Sequence, residues 1–152
     1  YNLQDGYRSK NNSNRNTLSL KTGAGSDTVN VNTSLEESGF YLEDGNDIFN
    51  WNKKSSSSWN SVYAGGGNDI INIKDGSNGY LGIYGNDGND TFNLTGNKLF
   101  SRSVNLYGNS GEDIFNISGN FSSDYNSIDG GGNDDNIMNS VLPNPIPKND
   151  PA

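Results

Sequence analysis

Gly65-Gly66-Gly67-Asn68-Asp69-Ile70-Ile71-Asn72-Ile73 is a glycine-rich turn closed by an Asp and followed by alternating apolar and polar residues. The same phrase recurs on both sides of it. Upstream stand Gly23-Ala24-Gly25-Ser26-Asp27-Thr28-Val29 and Glu43-Asp44-Gly45-Asn46-Asp47-Ile48-Phe49. Downstream stand Asn86-Asp87-Gly88-Asn89-Asp90-Thr91-Phe92, Asn109-Ser110-Gly111-Glu112-Asp113-Ile114-Phe115 and Gly130-Gly131-Gly132-Asn133-Asp134-Asp135-Asn136. The closing residues Asp27, Asp47, Asp69, Asp90, Asp113 and Asp134 lie 20, 22, 21, 23 and 21 positions apart. A near-constant period of that length marks a stacked repeat, in which each unit packs on the next.

The columns of the repeat follow from the Asp. Two and four residues after it come Val29 and Val31, Phe49 and Trp51, Ile71 and Ile73, Phe92 and Leu94, Phe115 and Ile117, with Asn30, Asn50, Asn72, Asn93 and Asn116 between them. Seven residues before it comes a second apolar column, Leu20, Phe40, Val62, Ile83 and Leu106. Alternation of period two gives a strand with one face inward and one outward. Each unit is therefore strand, turn, strand and a looser return. One unit cannot bury its apolar face, but units stacked in parallel at about 4.8 Å per coil form a continuous core. The fold expected is all-β, a right-handed parallel β-solenoid over residues 18–139. A degenerate cap coil would occupy residues 1–17 and a Pro-rich linker residues 140–152. Gly25, Gly45, Gly67, Gly88, Gly111 and Gly132, two before each Asp, mark a backbone conformation that a Cβ would forbid.

Stacking puts six carboxylates in a row. At a spacing of about 5 Å their repulsion is on the order of 1 kcal/mol per pair in water and about 3 at an intermediate dielectric. Asp44, Asp87, Glu112, Asp129 and Asp135 are expected on the same edge, and no Lys or Arg falls inside the six turns. A hard divalent cation between turns would relieve this, and calcium, which takes six to eight oxygens in loose geometry, fits best. The absence of His and Cys argues against zinc, copper or iron. The competing reading is an Asp ladder hydrogen-bonded to turn amides with no metal.

The turns resemble the nonapeptide Gly-Gly-x-Gly-x-Asp-x-U-x, with U apolar, of the calcium-binding repeats-in-toxin (RTX) family. Gly65 to Asp69 with Ile71 matches nearly all of it; Glu43 to Phe49 and Asn109 to Phe115 match its Gly-x-Asp-x-U half. The resemblance implies calcium ions between adjacent turns, held by the six Asp side chains and by turn carbonyls. The implied metal set adds the glycine column and the residues preceding it, Ala24, Asp44, Gly66, Asp87, Ser110 and Gly131. Six turns leave five gaps, so the expected ceiling is five ions. RTX proteins run nonapeptides in tandem, with ions on two edges. Here one phrase per coil implies a single rank of calcium, with variable loops on the other edge.

Leu, Ile, Val and Phe make 31 of 152 residues and the net charge is -8, at the border where chains do not order themselves. Calcium would cancel charge and stabilise the folded state by mass action. The expectation is a chain unfolded without calcium and folded at millimolar levels, hence extracellular. Absence of Cys suits a protein stabilised by metal instead of disulfides. The resemblance implies type I secretion. With no signal peptide, transmembrane run or initiator Met, the chain is read as an excised piece of a longer protein.

Leu3-Gln4-Asp5-Gly6-Tyr7-Arg8 aligns with Leu42 to Asp47, placing Arg8 where Asp stands, as in a capped first turn. Pro143, Pro145, Pro147 and Pro151 mark the linker, and Asp150-Pro151 is a candidate processing site. Length varies in the returns, residues 32–37, 52–59, 74–79, 95–103 and 118–124, where Lys53, Lys54, Lys74, Lys98 and Arg102 collect. Six places before each Asp the outward row reads Lys21, Tyr41, Tyr63, Tyr84, Tyr107, Ile128. The four Tyr either stack on one another across coils or offer faces to sugar rings, as in the carbohydrate modules of alginate epimerases that this architecture resembles. Calcium-dependent ice-binding adhesins carry a Thr between the two glycines, and no such row exists here. Catalysis lacks its partners, since no His or Cys is present, and an acidic surface does not suit nucleic acid. The function expected is a non-enzymatic calcium-binding domain of a large secreted bacterial protein, of adhesin or surface-layer type. The alternative is a calcium-dependent carbohydrate-binding module of a secreted polysaccharide-active enzyme. Expected partners are calcium and a cell-surface glycan or neighbouring domains or copies of the parent protein, with no membrane insertion.

Overall fold

A computed structural model of the chain describes residues 1–3, 17–53, 59–75, 79–96, 103–118 and 126–139. Among the described residues there is no helix. The strands are β1 (Asn2–Leu3), β2 (Ser19–Lys21), β3 (Thr28–Val31), β4 (Gly39–Tyr41), β5 (Ile48–Trp51), β6 (Asn60–Gly66) and β7 (Ile70–Ile73). They continue as β8 (Leu81–Asp87), β9 (Thr91–Leu94), β10 (Val104–Ser110), β11 (Ile114–Ile117), β12 (Ser127–Gly132) and β13 (Asn136–Asn139). Odd-numbered strands form a seven-stranded sheet in sequence order and even-numbered strands a six-stranded one. Every pairing is parallel, as in β5 to β7, where Phe49 faces Ile71 and Trp51 faces Ile73. The protein is a parallel β-solenoid whose two sheets are joined on one edge by the glycine turns.

The inward columns are those that the alternation predicts. Val29, Val31, Phe49, Trp51, Ile71, Ile73, Phe92, Leu94, Phe115 and Ile117 are buried from one sheet, and Phe40, Val62, Ile83, Leu106 and Ile128 from the other. Phe40, Phe49 and Trp51 meet edge to face, and Phe92 stacks on Phe115 with centroids 4.5 Å apart. One return is more than a surface loop: Leu35 is fully buried, and the Trp51 indole N–H donates to Thr33 O. A sequence pattern keyed to strands has no column for a core residue supplied by a return.

The last coil corrects the alignment. Ile114 pairs with Asn136 and Phe115 with Ile137, while Leu106 pairs with Ile128 and Tyr107 with Asp129. The column place is therefore filled by Asp135, not Asp134. Asn133 takes the place given to Gly132, and Gly132 that given to Gly131. Ile128 turns inward and Asp129, not Ile128, continues the Tyr row. The physical reason is that this register buries Ile128 and leaves Asp134 exposed. The capped first turn at Arg8, Lys54, Lys98, Arg102, the Pro-rich linker and Asp150-Pro151 lie outside the described residues.

Candidate functional site

Each glycine turn holds two residues in the left-handed region. Gly23, Glu43, Gly65, Asn86, Asn109 and Gly131 form the first column, and Gly25, Gly45, Gly67, Gly88, Gly111 and Asn133 the second. The second column is Gly for a second reason as well. A Cβ on Gly67, at φ 122°, would collide with the carbonyl oxygen of Gly45 in the coil before it. Where Asn133 replaces Gly, φ is 93°, which Asn tolerates better than other residues with a Cβ.

This backbone turns the Asp column inward. Asp47, Asp69, Asp90 and Asp113 are each 1% exposed. Their Oδ1 atoms accept from the amide of the equivalent Asp one coil earlier: Asp27 N–H to Asp47 (2.7 Å), Asp47 to Asp69 (2.7 Å), Asp69 to Asp90 (2.8 Å) and Asp90 to Asp113 (2.8 Å). Asp113 N–H donates in turn to Asp135 Oδ1 at 2.9 Å. The ladder that sequence reasoning set against metal binding is thus present, but it uses only half of each carboxylate. The Oδ2 atoms of Asp47, Asp69, Asp90 and Asp113 are buried and have no hydrogen-bond partner. Burial foremost, and the neighbouring carboxylates, push Asp69 and Asp113 up to about 6 and Asp90 up to about 7, against the lowering effect of the amide bonds. Asp47 is raised for the same reasons.

The residues between the column members face out. Asn46 Oδ1 accepts from Asn68 N–H (2.8 Å), Asn68 Oδ1 from Asn89 N–H (2.9 Å) and Asn89 Oδ1 from Glu112 N–H (3.0 Å). This ladder runs opposite in sense to the Asp ladder. The backbone amides at Gly25, Gly45, Gly67 and Gly88 donate to carbonyls of the next coil at 2.7–2.8 Å. These turn amides are committed, and the carboxylate and carbonyl oxygens are what the turns have to offer a cation.

Of the residues expected at the site, Asp44, Asp87 and Ser110 are exposed at the outer rim of the turn and Gly66 is half-buried there. Asp134 is exposed and lines a shallow polar concavity on the outer face of the turns with Asn89, Gly111, Glu112 and Asn133. Asp129 lies in β12 beside Tyr107 and not in the turn. Lys21 bridges Glu43 at 3.3 Å, a solvent-exposed pair that contributes little. Among the described residues no three His, Cys, Asp or Glu side chains converge to hold a metal. A cation here would have to combine the carboxylates of the column with backbone carbonyls. The oxygen-only donor set and the unpartnered buried Oδ2 atoms fit a hard cation such as calcium and no softer metal.

The tyrosine row is a stack. Tyr41, Tyr63, Tyr84 and Tyr107 follow one another at centroid distances of 5.1, 4.8 and 5.1 Å in nearly parallel planes. Interior rings give their faces to each other, and Lys21 lies over Tyr41 at 5.6 Å from its centroid. The stacking alternative accounts for the row without a ligand.

Two sets of residues escaped the sequence reading. Asp135 could have been found by counting from it: Ile128 and Ile137 then fall on the apolar columns. Gly85, Gly108 and Gly130, five places before their Asp, stood just outside the aligned phrase. Comparison with known protein families, with curated proteins and with solved structures returned no match.

Proposed function

We propose that the chain is a calcium-binding, RTX-like structural domain of a secreted bacterial cell-surface protein, of adhesin or surface-layer type, that folds on calcium after export. The observation that carries this reading is the file of buried Oδ2 atoms on Asp47, Asp69, Asp90 and Asp113 with no hydrogen-bond partner. A buried polar atom left unpaired costs about 1–3 kcal/mol, and more when charged. Among the described residues no Lys or Arg is paired with the column, so no counter-charge is seen there. Bound calcium would supply positive charge and tie successive coils through shared oxygens. The Asp column, read with Asp135 in the sixth place, would give the carboxylates, and the turns the carbonyls. Net charge of -8 and a modest apolar content support the same dependence. The tyrosine stack leaves the carbohydrate-binding alternative without an observation in its favour.

Circular dichroism of the whole chain tests the proposal. In chelator the β signal is expected to be lost, and millimolar calcium is expected to restore it while magnesium at the same level does so poorly. A chain that keeps its β signal and melting temperature in chelator, and takes up no calcium, would overturn it.

A further inference from the structure

The outer faces of the two sheets differ. On the odd-numbered sheet the outward place after each Asp reads Thr28, Ile48, Ile70, Thr91 and Ile114, paired in register from coil to coil. Two residues on, the outward place is Asn in five successive strands, from Asn30 to Asn116. Each of these side-chain N–H groups donates to the Asn before it at 2.8–2.9 Å. A further step along, Asn52 donates likewise to Asn32 at 2.9 Å. No Asp, Glu, Lys or Arg occupies an outward place of β3, β5, β7, β9, β11 or β13, and Lys74 stands at the rim past the end of β7. Among the described residues seven large hydrophobic side chains are exposed, and four of them, Ile48, Ile70, Ile114 and Met138, lie on this face. Elsewhere the surface of this chain of net charge -8 is different. The turn edge exposes Asp44, Asp87, Glu112 and Asp134, and the outward row of the other sheet is the Tyr stack, with Lys21 and Asp129 at its ends.

We propose that this face docks a second copy of the chain, Ile row against Ile row and Asn row against Asn row, with the two solenoids antiparallel about a two-fold axis. Parallel in-register rows of like side chains, with amides bonded along the stack, are the surface from which paired sheets build dry, interdigitated interfaces. The ladder takes one N–H of each amide and leaves the other for a facing amide. Two acidic chains meet here without bringing carboxylates together, as they could not at the turn edge. An uncharged, partly apolar centre is also what the buried core of an interface shows. Seven strands about 4.8 Å apart, crossed by six residues of about 3.3 Å, make a face of roughly 30 by 20 Å. Two such faces bury on the order of 1,200 Å², the lower end of specific interfaces, so the dimer is weak and reversible. This goes beyond the calcium reading and does not rest on it, because strand pairing alone sets the face.

The test is sedimentation equilibrium of the full-length chain, at a calcium level where circular dichroism shows the β signal. Wild type is expected to pass from monomer to dimer as its concentration rises, at low and high salt alike, since no charge pair holds the face. Ile70→Lys places a charge on both sides of the axis and is expected to weaken the dimer at least about tenfold. Ile70→Thr, a residue type that the row already carries at Thr28 and Thr91, guards against a folding defect and is expected to weaken it less. Trp59→Ser, beside β6 of the other sheet and 66% exposed, is expected to leave it unchanged. A folded wild type that stays monomeric at millimolar concentration overturns the proposal and leaves the calcium reading where it stood. So does a dimer lost in Trp59→Ser and kept in Ile70→Lys. A chain already folded in chelator would remove the calcium reading and leave this one to the same measurement there.

Discussion

The two edges of this solenoid solve the same problem with different side chains. At the return edge Leu18 N–H donates to Ser38 Oγ, Ser38 N–H to Asn60 Oδ1 and Val104 N–H to Asn126 Oδ1, each at 3.0 Å. At the glycine-turn edge the same kind of bond, from an amide to a side chain one coil later, goes to Asp. Ser38 and Asn60 are buried about as deeply as the Asp column. Yet Ser38 also donates, to Glu36 O at 3.1 Å, as neutral side chains can and a carboxylate cannot. If accepting from an amide were all the turn required, Asn would do it and would satisfy a carbonyl as well. The chain holds 28 Asn, and none stands at the column place of any coil. What distinguishes the turn edge is charge, and charge kept inside a fold needs a partner.

Moving charge to the wrong edge is the sharpest way to break this comparison. Asn60→Asp would bury a carboxylate where the return edge uses a neutral amide. It is expected to cost about 3 kcal/mol. Melting should fall by roughly 6–12 °C for a chain of this size. Calcium should not rescue it, and rescue in a calcium-dependent melt would mean that the edges are not different in kind.

The reciprocal change is milder. Asp90→Asn keeps the acceptor for Asp69 N–H and puts a neutral N–H where Oδ2 lies buried without a partner. In chelator it should keep more β signal than wild type, a shift of about 1–2 kcal/mol toward the folded state, because the cost of an unpaired buried group is removed. With calcium present it should bind one ion fewer than wild type and gain less stability from calcium than wild type does. A variant with no more β signal than wild type in chelator would show that the carboxylate needs no partner there.

The smallest effect is expected on the outer face. Asn30, Asn50, Asn72, Asn93 and Asn116 form a ladder in which each side-chain N–H donates to the Asn before it at 2.8–2.9 Å, ending on Asn2. Asn72→Ala interrupts it and should cost about 0.5–1 kcal/mol. Equal losses at limiting and at saturating calcium, read from chemical denaturation, would mark neutral ladders as independent of the ion.

Much of this was legible in the chain. Period-two alternation around Asn30, Asn50 and Asn72 fixed which residues face inward, because neighbouring Cβ atoms in a strand must point to opposite faces. The near-constant period required parallel stacking, and the outward Tyr row required rings one coil apart. The last coil was misread because two Asp follow one another at 134 and 135; the apolar columns select 135, and the burial of Ile128 beside Leu106 agrees. Leu35 was missed because its burial belongs to a return with no strand period.

The sequence by itself therefore determined the solenoid, its coil length and the row of carboxylates, since periodicity survives in one dimension. Only the tertiary structure decided that Asp47, Asp69, Asp90 and Asp113 point inward and that one oxygen of each is already held by an amide of the preceding coil. It also decided that Asp90 Oδ2 and Asp113 Oδ2 lie so close to Gly85 and Gly108 that a Cβ at either place would collide with them. Those facts depend on distances between coils about twenty residues apart, where the left-handed turns bring Oδ2 against the backbone five places before it.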